Sequence, residues 1–275
     1  MRKTLVFLAS IALLLTLSLP STAASQYLMM ATTTSTDNTG LLNVIAPAFE
    51  KATKIELRWT AVGTGKALEL GKNCDVDVLL VHAPDKEKKF IEEGYGINRR
   101  EVMYNDFVII GPSSDPAGIK GLKAIEALKQ IKSKKAPFVS RGDNSGTHSM
   151  ELKLWKKANI TNIDKEEWYI QTGQGMLNTI NIAAERDGYT LTDRGTFIKY
   201  EANHNGNPPL VILVEGDQLL FNQYSVIAIN PKRCPKVKYD LALKFIEWIT
   251  SDEGQKLIAD FRLMGKQLFV PNAAR

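Results

Sequence analysis

Short apolar runs alternate along the chain with amphipathic segments whose apolar residues recur at helical spacing. The run at 27–31 predicts a strand, and a helix is predicted to follow over residues 38–52. In that helix Leu41, Ile45 and Ala48 fall on one face. The same alternation predicts further strands at 55–62, 76–81, 102–111 and 137–140, and helices at 85–94, 121–132, 145–158, 176–187, 194–200, 239–250 and 252–260. This order favours an α/β fold with largely parallel sheets, because parallel strands need crossover connections.

The N-terminus carries the pattern of a secretory signal peptide. Arg2 and Lys3 precede a long apolar run, and the small residues of "STAAS" then offer a cleavage site after Ala23 or Ala24. We therefore expect residues 1–24 to be removed on export. No cysteine follows the apolar run where a lipid would attach, and no later run reaches the roughly 20 apolar residues of a membrane span. The mature protein is thus expected to have no membrane anchor.

The charge balance is mildly basic. The chain has 35 Lys and Arg against 30 Asp and Glu, and without the two basic residues of the signal peptide the counts are 33 and 30, a net charge of +3. This excess is spread along the chain and slightly favours anionic ligands, whereas a nucleic-acid-binding protein would concentrate it in a patch. We therefore expect no nucleic acid partner.

Two cysteines, Cys74 and Cys234, remain in the exported chain. Their spacing matches no zinc site, and an oxidising compartment permits a disulfide. The sequence therefore favours a Cys74–Cys234 disulfide over two free thiols.

A run of hydroxyl residues follows the first predicted strand, in the stretch "ATTTSTDNTG" at 31–40. Its members are Thr32, Thr33, Thr34, Ser35 and Thr36. Each hydroxyl can donate to an acceptor, and the helix that follows begins with backbone N–H groups that lack intrahelical partners. Any one of these side chains can be an ordinary N-cap, but the run as a whole predicts an anion site at a helix N-terminus.

The stretch "SRGDNSGTHS" at 140–149 has the same design and adds a charge. Arg141 presents a planar fork that suits two oxygens of one anion. Ser145, Gly146 and Thr147 would form the first turn of the next helix, and Gly146 lets its backbone approach a ligand because it has no Cβ.

Two weaker candidates lie at other turns. Thr64 stands between two glycines, but Leu68 breaks a dinucleotide fingerprint and no P-loop occurs. Thr172 lies in "QTGQGML" and is a further candidate to reach a cleft.

Catalysis is less favoured than binding. The remote alternative is an exported hydrolase that uses Ser145. The sequence around Ser145 does not fit the G-x-S-x-G elbow, and His148 lies three residues further along the same helix. His82 and His204 lie in other segments, so the spacing of a metal site is absent. We expect a binding protein without a protein-ligated metal, rather than an enzyme.

The combination of motifs resembles the periplasmic tungstate-binding proteins that serve ABC importers, within the oxyanion-binding group of two-lobed solute receptors. The resemblance is carried by "ATTTSTDNTGLL", "DVDVLLVHAPDKEKKFIEEGYG", "NDFVIIGPSSDPAGIKG" and "SRGDNSGTHSMELKLW". It implies two α/β lobes of the type II class, joined by two crossover strands, with the apolar runs 107–111 and 224–230 suited to that role. We expect lobe I over 25–107 and 228–275, and lobe II over 108–227. The resemblance also implies a periplasmic monomer that works with a permease and needs no cofactor.

The resemblance assigns ligand contacts residue by residue. The hydroxyl and arginine positions that it carries over are Thr33, Thr34, Ser35, Arg141, Ser145 and Thr147, with Gly146 between them and Thr64 matching less closely. Thr32, Thr172 and His82 are outer candidates.

A comparison with phosphate receptors of similar design bears on the ligand. They place an aspartate near the position of His82, where it accepts the proton that phosphate retains. A site made only of donors suits a fully ionised anion such as tungstate, molybdate or sulfate. The family resemblance favours tungstate among these, and molybdate, sulfate and phosphate stay open as alternatives.

Overall fold

The computed structural model describes residues 26–274. The predicted signal peptide at 1–24 lies outside the described residues. The strands are Gln26–Thr33 (β1), Ile55–Val62 (β2), Val78–Val81 (β3), Gly96–Pro112 (β4), Phe138–Ser140 (β5), Tyr169–Gln171 (β6), Thr190–Asp193 (β7), Leu210–Val214 (β8), Phe221–Ile229 (β9), Arg262–Leu263 (β10), Lys266–Gln267 (β11) and Val270–Pro271 (β12). The helices are Thr34–Asp37 (α1), Leu42–Thr53 (α2), Thr64–Lys72 (α3), Pro84–Glu92 (α4), Ala124–Lys134 (α5), Gly146–Lys157 (α6), Met176–Glu185 (α7), Arg194–Asn203 (α8), Tyr239–Ile249 (α9) and Asp252–Asp260 (α10), and short 3-10 turns lie at Ile163–Lys165 and Gln218–Leu220.

The main sheet has the strand order β12-β4-β9-β3-β1-β2, and β7 and β8 pair with β4 beyond this path. The strands joined through helices are parallel, namely β1 with β2, β1 with β3, and β5 with β6 in a separate small sheet. The other pairs of the main sheet are antiparallel because β4 and β9 run against their neighbours. The predicted α/β fold is confirmed, and each half of it is a mixed sheet rather than a mainly parallel one.

Strand β4 connects the two halves of the molecule. Its first part, up to Asp106, pairs with β9, and its second part, from Phe107 to Pro112, pairs with β7 and β8. The predicted crossover run 107–111 lies in β4, and the run 224–230 lies in β9 up to Ile229. The prediction of residues 102–111 for this strand is too short, because pairing with different partners at its two ends extends it to 17 residues.

The apolar core is divided in the same way. Leu28, Phe49 and Phe245 belong to one buried cluster, formed largely by β1, α2, β9 and α9. Phe138 and Trp155 belong to another, formed largely by β4, α5 and α6. The fold is the two-lobed arrangement of the type II binding proteins, and the exact residue bounds of the lobes stay a prediction.

The predicted start of the first helix, at residue 38, is wrong. A short helix, α1, follows β1 directly, and α2 begins only at Leu42. Gly40 lies between them with φ +81°, a left-handed conformation that glycine adopts without strain. The Thr39 hydroxyl also donates to the carbonyl of Thr36, which closes α1.

Cys74 and Cys234 form a disulfide, with a sulfur–sulfur distance of 2.04 Å. The bond ties the end of α3 to the segment after β9, across 160 residues of sequence. It therefore anchors one of the helices that reach the site described below. Within residues 26–274, no helix has the length and apolar character needed to cross a membrane.

Candidate anion-binding site

Five helices begin at one cavity of about 550 Å³. The N-cap residues that line it are Thr33 of α1, Gly63 of α3, Ser145 of α6, Gly175 of α7 and Asp193 of α8. Each of these helices follows a strand, so the cavity lies at the strand ends where α/β proteins commonly bind ligands. A helix N-terminus carries unpaired N–H groups and a partial positive charge, and this arrangement favours an anion.

The helix caps differ in what they leave for a ligand. The Thr33 hydroxyl accepts from the backbone N–H of Thr36, and Ser145 accepts from that of His148. Gly63 and Gly175 provide no side-chain cap to α3 and α7. The first-turn N–H groups of these two helices therefore need an acceptor from outside the helix.

The first hydroxyl loop lies on the side of the cavity formed by β1. Thr34 and Ser35 line the cavity and are exposed, whereas Thr33 lines it from a buried position. The Thr33 Oγ1 atom lies 3.0 Å from the Ser35 hydroxyl and 2.6 Å from that of Thr36. These contacts fix the loop so that its hydroxyls converge. Thr32 lies outside the lining, because its hydroxyl donates to the carbonyl of Leu80.

The second hydroxyl loop lies across the cavity, between β5 and α6. Arg141, Ser145, Gly146 and Thr147 all line the cavity. The Arg141 guanidinium is one-fifth exposed and donates to the carboxylate of Asp143 from both Nε and Nη2. Burial disfavours ionisation of Asp143, but hydrogen bonds from Ser145 and Arg141 outweigh it and hold the pKa of this carboxyl below its ordinary value. The ion pair with Asp143 thus fixes the Arg141 guanidinium at the cavity wall.

The structure brings together nine of the candidate residues. Those that line the cavity are Thr33, Thr34, Ser35, Thr64, His82, Arg141, Ser145, Gly146 and Thr147. Thr172 is not among them. Its hydroxyl contacts the carbonyls of Ser140 and Arg141 and the hydroxyl of Thr179, so it supports the arginine loop from behind.

Comparison with known proteins agrees with this geometry. Residues 20–253 match the family model of the PBP superfamily domain. The chain is 53% identical over 240 residues to the tungstate-binding protein TupA of Campylobacter jejuni, a match that covers 87% of this chain and 88% of that protein. The chain belongs to the family of tungstate-binding proteins.

Two solved structures of this family extend the match to three dimensions. The tungstate binding protein TupA from Desulfovibrio alaskensis G20 superimposes with a TM-score of 0.89 at 66% identity, over 90% of this chain and all of that one. The tungstate ABC transporter structure from Geobacter sulfurreducens superimposes with a TM-score of 0.73 at 52% identity, over 86% of this chain and 98% of that one.

His82 contacts the first hydroxyl loop directly. Its Nε2 lies 3.1 Å from the Thr33 hydroxyl and 3.2 Å from that of Ser35, and its Nδ1 lies 3.0 Å from Oδ1 of Asn222. The Asn222 amide is itself held by Asn105. Since Asn222 Oδ1 is an acceptor, Nδ1 carries the proton and Nε2 of the neutral ring accepts from a hydroxyl.

The ionisation of His82 depends on its enclosure. Loss of water around the ring lowers the pKa of His82, and the hydrogen bond to Asn222 and the charge of Asp193 act in the opposite direction. The neutral ring orients the hydroxyls of the first loop without adding a charge.

A buried carboxyl supports the arginine loop from inside α6. Glu151 accepts from the hydroxyls of Ser140 and Tyr169 and from the indole of Trp155. Ser140 Oγ in turn accepts from the N–H of Gly142, which has φ +60°. Burial raises the pKa of Glu151 to about 7, despite the hydrogen bonds that favour its ionised form.

Several lining residues were not predicted from the sequence. The polar ones are Asn38, Thr39, Asn105, Asn178, Asp193, Thr196, Lys199, Asn222 and Tyr224. The segment "TDRGT" at 192–196 carries a helix-start signal, with Asp193 capping Thr196. Asn38 and Thr39 lie in the stretch 31–40 that carries the first hydroxyl loop, but they were not singled out. The others lie in segments without such a signal and reach the cavity only through the tertiary fold.

The geometry around Ser145 differs from that of a serine hydrolase. The Ser145 hydroxyl accepts from the backbone N–H of His148, and the ring Nδ1 of His148 accepts from the backbone N–H of Asn144. The imidazole is therefore not paired with the serine hydroxyl as a general base would be. Among residues 26–274, no group of three or more His, Cys, Asp or Glu is arranged to hold a metal ion.

Proposed function

We propose that this protein captures tungstate in the periplasm and delivers it to the permease of an ABC importer. It would act as a monomer, without a cofactor and without catalysing a reaction. The observation that carries the proposal is the convergence of two separate hydroxyl loops, at 33–35 and 141–147, on one cavity where five helices begin.

The chemistry of the lining matches a tetrahedral dianion. Tungstate offers four oxygen acceptors and no proton at neutral pH, so it needs donors on several sides. Hydroxyls, backbone N–H groups and the Arg141 guanidinium are donors of this kind. Asp193 is the one carboxylate in the lining, and both its oxygens already accept from Thr196. It therefore caps α8 through both of its oxygens.

The size of the cavity supports binding coupled to closure. A water molecule occupies about 30 Å³ of liquid, so a cavity of about 550 Å³ is several times larger than an ion of four oxygens around one atom. Closure of the two lobes would remove the excess water and strengthen each hydrogen bond to the charged ligand. The names of the relatives, tungstate-binding proteins and a tungstate ABC transporter, favour the same ligand and a permease partner.

Titration calorimetry with tungstate, molybdate, sulfate and phosphate tests this function. We expect tungstate to bind in a one-to-one complex, molybdate to compete with it, and phosphate to bind much more weakly, because the one carboxylate of the lining, Asp193, is engaged in capping α8. Tight phosphate binding would contradict the choice of ligand. No binding of any of the four ions would contradict the function itself.

A further inference from the structure

Lys199 is the second cation in the wall of the cavity. The residues of the lining that carry a formal charge at neutral pH are Arg141, Asp193 and Lys199. Lys199 lies on α8, and its ammonium donates to the backbone carbonyl of Asn38 at a distance of 2.6 Å. Asn38 follows the first hydroxyl loop as the C-cap of α1. The contact therefore joins α8 to the C-terminal end of α1, two elements far apart in sequence, at the wall of the cavity.

The charge of Lys199 has no carboxylate partner in the part of the chain that the structure describes. Arg141 is bound to Asp143, and Asp193 adds a further negative charge to the wall. Without Lys199, the side chains of Arg141, Asp143 and Asp193 sum to a net charge of −1, which would oppose a dianion. The Lys199 ammonium brings the sum to zero. It also has three N–H donors, of which the Asn38 carbonyl uses one.

We propose that Lys199 is a ligand-binding residue, supplying the second positive charge to the bound dianion while its ammonium keeps its bond to the carbonyl of Asn38. One ammonium then joins the anion, α8 and the end of α1. Binding of the anion and approach of these two elements therefore reinforce each other. This inference rests on the proposed function.

The experiment compares substitutions of two lysines by calorimetry with tungstate. Lys199→Met removes the charge and keeps an unbranched side chain, and Lys199→Arg restores the charge. Lys153→Met is the matched control, because Lys153 also contacts a distant segment, at Asp85, but is half exposed and does not line the cavity. We expect Lys199→Met to weaken tungstate binding roughly ten- to hundredfold, Lys199→Arg to lie within fivefold of wild type, and Lys153→Met within twofold.

Perrhenate separates a charge role from a purely structural one. It is tetrahedral like tungstate but carries one negative charge instead of two. We expect Lys199→Met to lose much less affinity for perrhenate than for tungstate. An effect of Lys199→Met below twofold, or an equal loss for both ions with no recovery in Lys199→Arg, would overturn the inference alone. Failure of the wild type to bind tungstate would overturn the proposed function, and this inference with it.

Discussion

Replacement of Arg141 by alanine should weaken anion binding far more than replacement of any one threonine of the first loop. A hydrogen bond to a charged group contributes about 1.5–3 kcal/mol, and a bond between neutral groups about 0.5–1.5 kcal/mol. Arg141 is largely enclosed at the cavity wall and has further N–H donors besides the two that bind Asp143, so we place the cost of its loss at about 3 kcal/mol. Since about 1.4 kcal/mol is tenfold in Kd, binding should weaken more than a hundredfold. Thr34→Ala should cost tenfold or less.

Part of that loss arises from Asp143, which Arg141 neutralises. In Arg141→Ala the pKa of Asp143 should rise toward its ordinary value, yet at neutral pH the carboxylate would stay ionised and repel the anion. The double variant Arg141→Ala with Asp143→Ala should therefore bind more tightly than Arg141→Ala alone. This order of the two affinities, measured by calorimetry with tungstate, separates charge repulsion from the loss of hydrogen bonds.

Arg186→Ala is the matched control for the same assay, because Arg186 is exposed at the end of α7 and lies outside the cavity lining. It should bind tungstate like the wild type. Equal losses for Arg141→Ala and Thr34→Ala would refute the assignment of Arg141 as the main charged ligand. A double variant weaker than Arg141→Ala would refute the role given to Asp143.

Three further predictions concern stability and loop geometry. Because the pKa of Glu151 is raised from 4.5 to about 7, this residue should contribute up to about 3 kcal/mol of stability that is lost as pH rises from 4.5 through 7, and denaturant titrations should show a smaller loss over this range for Glu151→Gln than for the wild type; equal losses would contradict this. Replacing Cys74 and Cys234 by serine should lower the free energy of unfolding by about 3–5 kcal/mol, and unchanged urea midpoints would contradict this. Gly142→Ala should weaken tungstate binding measurably in calorimetry, because a Cβ would lie 2.9 Å from that of Gln171 at φ +60°; unaltered affinity would refute this role.

The two hydroxyl loops could be predicted because their signals are local. Each combines a strand, a set of small donors and a helix start within about ten residues, and Thr34, Ser35, Ser145 and Thr147 all line the cavity. The fold class could be predicted for a similar reason, because the alternation of short apolar runs with amphipathic segments is also a local pattern. The break at Gly40 was missed because the polar residues 38–40 were joined to an apolar stripe that begins only at Leu41.

Other parts of the site depend on contacts that no local pattern encodes. Asn222 lies 140 residues from His82 and orients it, and Lys199 reaches Asn38 across 161 residues. Thr172 has a favourable local context, but its hydroxyl is used by the arginine loop. Proximity to a predicted turn therefore does not by itself place a side chain in the cavity.

The central claim is that residues 33–35 and 141–147 hold one anion between them. The most direct measurement is a crystal structure of the tungstate-soaked protein, with the metal located from anomalous scattering at a tungsten absorption edge. The account predicts a single strong peak in the cavity, with oxygens within hydrogen-bond distance of Ser35 or Thr34 on one side and of Arg141 and Thr147 on the other. A peak that contacts only one of the two loops, or lies outside the cavity, would contradict it.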